Sequence, residues 1–167
     1  RWGFGHFGER MHKIGMRIIV IGVISKFEQD IQQSLQDLVK RTDNNTKITV
    51  VFALNYGGRD EIIRAMNQAI SYQLLAIRQK KDQGNNNVAE GWKLKAESYV
   101  RFLDTAGIPD PELIVRTGGE KRLSGFLLWQ SEYSELYFVD WYMPEFTPER
   151  LDKALEEYAH RKRRFGK

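Results

Sequence analysis

Runs of aliphatic residues alternate along the chain with stretches of helical periodicity, and this alternation decides which folds are open to it. Arg17 to Gly22 predicts a short buried strand, because Ile18-Ile19-Val20-Ile21 is continuous, β-branched and stopped by glycine. Glu28 to Arg41 predicts an amphipathic helix, with Ile31, Leu35, Leu38 and Val39 at helical spacing and a turn at Asp43-Asn44-Asn45. Lys47 to Leu54 predicts a second strand, broken by Gly57-Gly58 before a helix to about Arg78 that carries Ile62, Ile63, Met66 and Ile70. Gln79 to Asn87 is polar and predicts a surface linker, and Val88 to Asp104 predicts a helix. Beyond the rigid turn Pro109-Asp110-Pro111, Leu113-Ile114-Val115 predicts a third buried strand. Phe126 to Gln130 predicts a helix and Glu135 to Val139 a fourth strand. Thr147 as N-cap with Pro148 at the first helical position starts a last helix to about Arg161.

Strands interleaved with helices imply an α/β fold, a central, mainly parallel sheet flanked by helices. Ligands of such sheets bind beyond the carboxyl ends of the strands. Three exits therefore matter: Gly22-Val23, Asn55-Tyr56-Gly57-Gly58-Arg59 and Arg116-Thr117-Gly118-Gly119-Glu120.

The length, 167 residues, suits a single domain over 1–167 that buries its own core. Hydrophobic residues at 41% are too many for a disordered chain. The absence of cysteine excludes a disulfide framework, thiolate metal sites and thiol catalysis together. No apolar run approaches the roughly 20 residues that span a bilayer, and Arg1-Trp2-Gly3-Phe4-Gly5-His6 is no secretory signal. A cytoplasmic protein is expected. The net charge of +4 supports a polyanionic partner only weakly. The basic run His160-Arg161-Lys162-Arg163-Arg164 suits a solvated helix end. With no RNP, helix-turn-helix or finger pattern beside it, nucleic acid is not an expected partner.

Arg116 to Ser124 gathers two guanidiniums, a hydroxyl and two consecutive glycines at a strand exit. Arginine matches phosphate oxygens with a planar fork of donors, and glycine lets backbone N–H groups approach an anion. A diphosphate would suit such a pocket; a tight turn with solvated arginines is the equal alternative. Glu135 stands in the apolar run Leu136-Tyr137-Phe138. A carboxylate there must be paired, hold a cation such as Mg²⁺, or face water from an edge strand. Asn55 to Glu61 lacks the spacing of either nucleotide-binding glycine loop and is better explained as a turn that packs helix on sheet. His6, His12 and His160 have no metal-ligand spacing.

Several ordered segments resemble the undecaprenyl diphosphate synthase family of cis-prenyltransferases. They are Asn55-Tyr56-Gly57-Gly58-Arg59, Pro109 to Ser124 (Pro-Asp-Pro-Glu-Leu-Ile-Val-Arg-Thr-Gly-Gly-Glu-Lys-Arg-Leu-Ser), Phe126-Leu127-Leu128-Trp129-Gln130, Glu135-Leu136-Tyr137-Phe138 and Arg163-Arg164-Phe165-Gly166. The similarity runs in register from about Phe7 to Lys167.

The resemblance implies a homodimeric enzyme with a hydrophobic tunnel between sheet and helices. It implies condensation of isopentenyl diphosphate with an allylic diphosphate, such as farnesyl diphosphate, into a long-chain cis-polyprenyl diphosphate. By the same resemblance Arg116 and the block Arg122-Leu123-Ser124 bind the diphosphate of isopentenyl diphosphate, and Glu135 helps hold Mg²⁺. Arg164 and Gly166 match the terminal Arg-x-Gly motif that reaches the partner subunit's site. Arg1-Trp2 resembles the tail of the family's Asp-Gly-Asn-Gly-Arg-Trp loop, and Phe4-Gly5-His6 its Phe-Gly-His segment, which makes Arg1, Trp2 and His6 substrate-binding candidates. The loop's catalytic aspartate and the family's Asn-Trp pair do not occur here, so most of the family's N-terminal segment is missing and no catalytic residue is assigned. Two motifs that the family keeps apart lie side by side, which suggests that separated pieces are joined. Val23 stands where the family often has Asp, and Gly125 where it has Asn or Asp. The trans-acting synthases use aspartate-rich helix motifs, and none appears. The alternative is a non-catalytic accessory subunit that keeps the fold and dimer surface. A lipid product would bring peripheral contact with a membrane.

Overall fold

The computed structural model describes residues 2–82 and 95–162, with side chains from residue 8 onward except at 80–82 and 97. The chain resolves into two compact units, Arg1–Ala106 and Gly107–Lys167. In the first, α1 (Trp2–Lys13), β1 (Met16–Ile21), α2 (Gln29–Thr42), β2 (Ile48–Ala53), α3 (Gly58–Asp82) and the short α4 (Ala96–Tyr99) follow one another. In the second, β3 (Leu113–Arg116), β4 (Glu135–Phe138) and α5 (Pro148–His160) do so.

The parallel pairing expected from strand–helix alternation is present, as β1 with β2 in the first unit and β3 with β4 in the second. Residues of β1 meet β2 from Met16↔Ile48 to Ile21↔Ala53, and β3 meets β4 from Leu113↔Glu135 to Arg116↔Phe138. The first pair is a βαβ unit in which α2 turns Leu35, Leu38 and Thr42 inward at helical spacing toward the buried Ile18 and Ile21 of β1. Beside it, Ala65 of α3 packs with Tyr99 and Leu103, and the Tyr99 hydroxyl donates to the Ile62 carbonyl at 2.8 Å.

Several local expectations change. Phe126 to Gln130 is a run of turns and not a helix. Ser124, Gly125 and Leu127 all take positive φ, which right-handed helix forbids. In the other direction, α1 forms despite its glycines, and Gly8 explains part of it: a Cβ there would come within 2.8 Å of Leu38 Cδ1, so the missing side chain lets α1 approach α2. The residues 79–82 assigned to a linker continue α3; residues 83–94, which cover the rest of that linker and the first part of the next expected helix, lie outside the described residues. The described part of that helix is α4 followed by a 3₁₀ turn over Val100–Phe102.

Fully buried Thr42 ties α2 to β1. Its Oγ1 accepts from the Ile18 N–H at 3.1 Å and donates to the Leu38 carbonyl at 3.0 Å. Valine fills the same volume but strands the Ile18 donor away from water, so Thr42→Val is expected to cost about 1–3 kcal/mol. A lower urea midpoint at unchanged m-value is the signature; an unaltered midpoint would show that the hydroxyl contributes nothing.

Candidate functional site

The exit of β3 is built around Arg116. The strand holds its backbone through the Arg116↔Phe138 register, and its carbonyl accepts the Val139 N–H at 2.9 Å. The side chain is half-buried and its Nε is shielded from solvent with no hydrogen-bond partner. Among the described residues no carboxylate pairs with it. A buried donor on a cation is costly to leave unmatched, and an oxyanion is the ligand that would relieve it.

The two glycines that follow do something other than the sequence suggested. Their φ angles, 86° at Gly118 and 75° at Gly119, are left-handed, so glycine is needed for conformation. Their N–H groups donate to the carbonyls of Trp141 and Val139, both at 2.9 Å, and are not free to cradle an anion. Arg122 is exposed and pairs with Glu120. Leu123 is half-buried, while Ser124 is exposed and held at φ 52°, a strained setting for a non-glycine residue. The β3 exit thus brings Arg116, Arg122, Leu123 and Ser124 onto one short segment.

Glu135 is not gathered with them. It opens β4 opposite Leu113, three residues before Phe138, which faces Arg116. At about 3.3 Å per residue that is roughly 10 Å along the sheet, and the period-2 alternation puts the two side chains on opposite faces. The carboxylate of Glu135 accepts from Arg161 Nη1 at 3.0 Å, and the same nitrogen donates to the Leu136 carbonyl at 2.9 Å. This contact with Glu135 is the main reason the guanidinium is held above its ordinary pKa, with burial opposing it and Glu157 adding to it. Of the three readings open for Glu135, pairing is the one realised. Among the described residues no three His, Cys, Asp or Glu converge on a point that could hold a metal. Mg²⁺ commonly bridges one or two carboxylates to substrate phosphates. Glu135 fits that pattern only as a single ligand that has exchanged Arg161 for the ion.

The exits of β1 and β2 are tied together. Leu54 N–H donates to the Ile21 carbonyl at 2.9 Å, and Asn55 Nδ2 to the Val23 carbonyl at 3.2 Å. The Asn55–Glu61 segment is the packing turn expected of it, leading into α3 at Gly58. Sequence reasoning missed the polar assembly beside it. Glu61, 1% exposed, takes the Tyr56 hydroxyl at 2.5 Å and the Asp104 N–H at 2.9 Å. Arg64 grips both oxygens of Asp104 at 2.7 Å and also holds Asp60 at 2.8 Å. The Gly22 N–H completes the assembly, donating to Asp104 Oδ2 at 3.1 Å. The available signal was an acid on the inward face of α3, in phase with Ala65 and Ala69. In the same unit, a groove of about 520 Å³ is lined by Val20, Ile24, Leu35 and Val39 together with Lys40.

Of the remaining candidates, Arg1, Arg164 and Gly166 lie outside the described residues, and Trp2 and His6 fall in α1 where only the backbone is described.

A family model described as "putative undecaprenyl diphosphate synthase" matches residues 5–166. The isoprenyl transferase of Rhizobium meliloti is 46% identical over 93% of this chain and 59% of its own length. That of Aquifex aeolicus is 36% identical over 95% of this chain and 62% of its own. The chain therefore spans about three fifths of the curated relatives it matches. Among solved structures, one from Campylobacter jejuni described as a probable undecaprenyl diphosphate synthase superposes with a TM-score of 0.81 at 30% identity, covering 98% of this chain and 69% of that one. Lavandulyl diphosphate synthase from Lavandula x intermedia, in complex with dimethylallyl diphosphate, gives 0.79 at 27% identity, covering 96% and 64%. With a family match that runs nearly from end to end and the same α/β architecture in both solved structures, the chain belongs to the undecaprenyl diphosphate synthase family of prenyltransferases.

Proposed function

We propose that the chain is the larger part of a cis-prenyltransferase that condenses isopentenyl diphosphate with an allylic diphosphate such as farnesyl diphosphate, giving a long-chain cis-polyprenyl diphosphate. The observation that carries the reading is the half-buried Arg116 with its unmatched Nε at a parallel strand's carboxyl end. In this reading Arg116 takes diphosphate oxygens with its fork of donors. Arg122, released from Glu120, adds charge, and Leu123 and Ser124 close the same segment over the group. With the diphosphate fixed, the alkene of isopentenyl diphosphate forms the new carbon–carbon bond as the allylic diphosphate departs with its electron pair. Loss of a proton then restores a double bond. Holding the two partners at reacting distance is the chief contribution asked of these residues. Mg²⁺, when bound, supplies positive charge to diphosphate oxygens, with Glu135 as its ligand in this reading.

A second copy of the chain is the proposed partner. Ile63, Met66, Ile70 and Leu74 form an uncharged stripe along α3, each between 40% and 58% exposed. Spaced three and four residues apart, they match an antiparallel copy of themselves, Ile63 against Leu74 and Met66 against Ile70. No described helix is long and apolar enough to cross a membrane, and peripheral contact for release of an oily product belongs to the same proposal.

The test is turnover by the full-length protein that carries this chain, with farnesyl diphosphate, isopentenyl diphosphate and Mg²⁺, alongside its sedimentation. Elongated product and a dimer are expected, with Ile70→Asp sedimenting as a monomer. A folded dimer that makes no product would transfer the reading to the accessory subunit, and a monomeric wild type would remove the α3 interface.

A further inference from the structure

The Arg64–Asp104 pair is an expensive way to hold a fold together. Its side chains are 30% and 16% exposed, so both charges are partly stripped of water. Replacing such a buried pair by apolar groups of similar size is often neutral or stabilising. Stability alone therefore does not account for it. The pair stands where Gly22 leaves β1 and where Tyr56, Glu61 and Arg64 follow β2, the ends of parallel strands at which α/β proteins bind ligands.

What the pair controls is a backbone position. Gly22 sits at φ 102°, with Leu54 and Tyr56 atoms 3.1 Å from where a Cβ would be, so its peptide has one place to go. Its N–H is aimed at Asp104 Oδ2, and Asp104 is fixed in turn by both Arg64 nitrogens and, through its own N–H, by Glu61. Arg64 is carried on the second turn of α3, whose first turn presents the exposed Arg59. We infer that Arg64 and Asp104 are positioning residues, which set the gap between the β1 exit and the first turn of α3 for turnover of a diphosphate substrate. The role rests on the prenyltransferase reading above; the geometry does not.

The experiment compares wild type with Arg64→Met/Asp104→Leu, and with Asp104→Asn, which keeps an oxygen for Gly22 but weakens the grip of Arg64. Urea midpoint, amide exchange at Gly22, and kcat and KM are measured separately on each. The apolar pair is expected to move the midpoint little, removal of the desolvated charges offsetting the stranded Gly22 donor, while Gly22 exchanges about 100-fold faster, as the donor loses its acceptor. In both variants kcat should fall by about 10- to 100-fold with KM shifted far less, the size of effect that a 1 Å misplacement produces. Should the apolar variant fail to fold, Asp104→Asn alone decides. Unchanged kcat in a folded variant overturns the positioning role and leaves the pair structural. An unchanged Gly22 exchange rate in the apolar variant overturns the contact itself, whether or not the chain makes product. A wild type that protects Gly22 yet shows no turnover overturns the prenyltransferase reading, and with it the role, while the contact stands.

Discussion

Gly22→Ala is expected to destabilise the first unit by about 3 kcal/mol or more. Two independent costs meet at this residue. Its φ of 102° lies where an L side chain is strained, a cost of about 1–3 kcal/mol. The added methyl would also fall inside the van der Waals envelope of the Leu54 carbonyl oxygen, with the Leu54 carbon and Tyr56 Cβ both 3.1 Å away. Those neighbours are backbone and a Cβ, which cannot swing aside, and overpacking of this kind adds about 1–3 kcal/mol. The Leu54 N–H bond to Ile21 would have to open to make room, which detaches the ends of β1 and β2 from one another. Chemical unfolding measures the loss, and a midpoint equal to wild type would mean that the strand exits are far looser than their contacts indicate.

Arg116→Ala is expected to raise the KM for isopentenyl diphosphate by about 100-fold, since removing a desolvated charged partner costs roughly 2–5 kcal/mol and each 1.4 kcal/mol is tenfold. The free protein should not suffer, because the substitution deletes a buried Nε that has no partner to lose. That combination separates a ligand-binding arginine from a structural one. Arg116→Lys should recover only part of the loss, as an ammonium cannot present two parallel donors. Calorimetric titration of isopentenyl diphosphate reads the affinity directly, and equal binding by wild type and Arg116→Ala would end the assignment.

The fold was legible where one segment's own pattern decides its state. Thr147 and Pro148 marked the start of α5, and the Thr147 side chain does accept the Arg150 N–H at 3.4 Å. The β-branched runs marked β1 and β2 to within a residue or so. Phe126 to Gln130 misled because an apolar run of four, Phe126 to Trp129, carries no period of its own, and its conformation is set by the left-handed residues in and beside it. Pairing was less legible than existence, since alternation predicts parallel strands without saying which strands share a ladder.

The candidate site divides in the same manner. Arg116 could be found because it closes its strand. The separation of Glu135 from it could not, because face and end depend on a register that sequence does not print. Glu61 and Asp104 are 43 residues apart and meet only in space.

The glycine turn after β3 has a mechanical consequence. Gly118 N–H is bonded to the Trp141 carbonyl, and the Trp141 indole stands edge-on to Phe146 with the Arg150 guanidinium 4.9 Å above its ring. Whatever shifts the backbone beside Arg116 must drag this indole and its electrostatic surroundings along. The protein carries an intrinsic fluorophore tied to the loop that follows Arg116, so under the proposed function diphosphate binding at Arg116 is expected to change its emission.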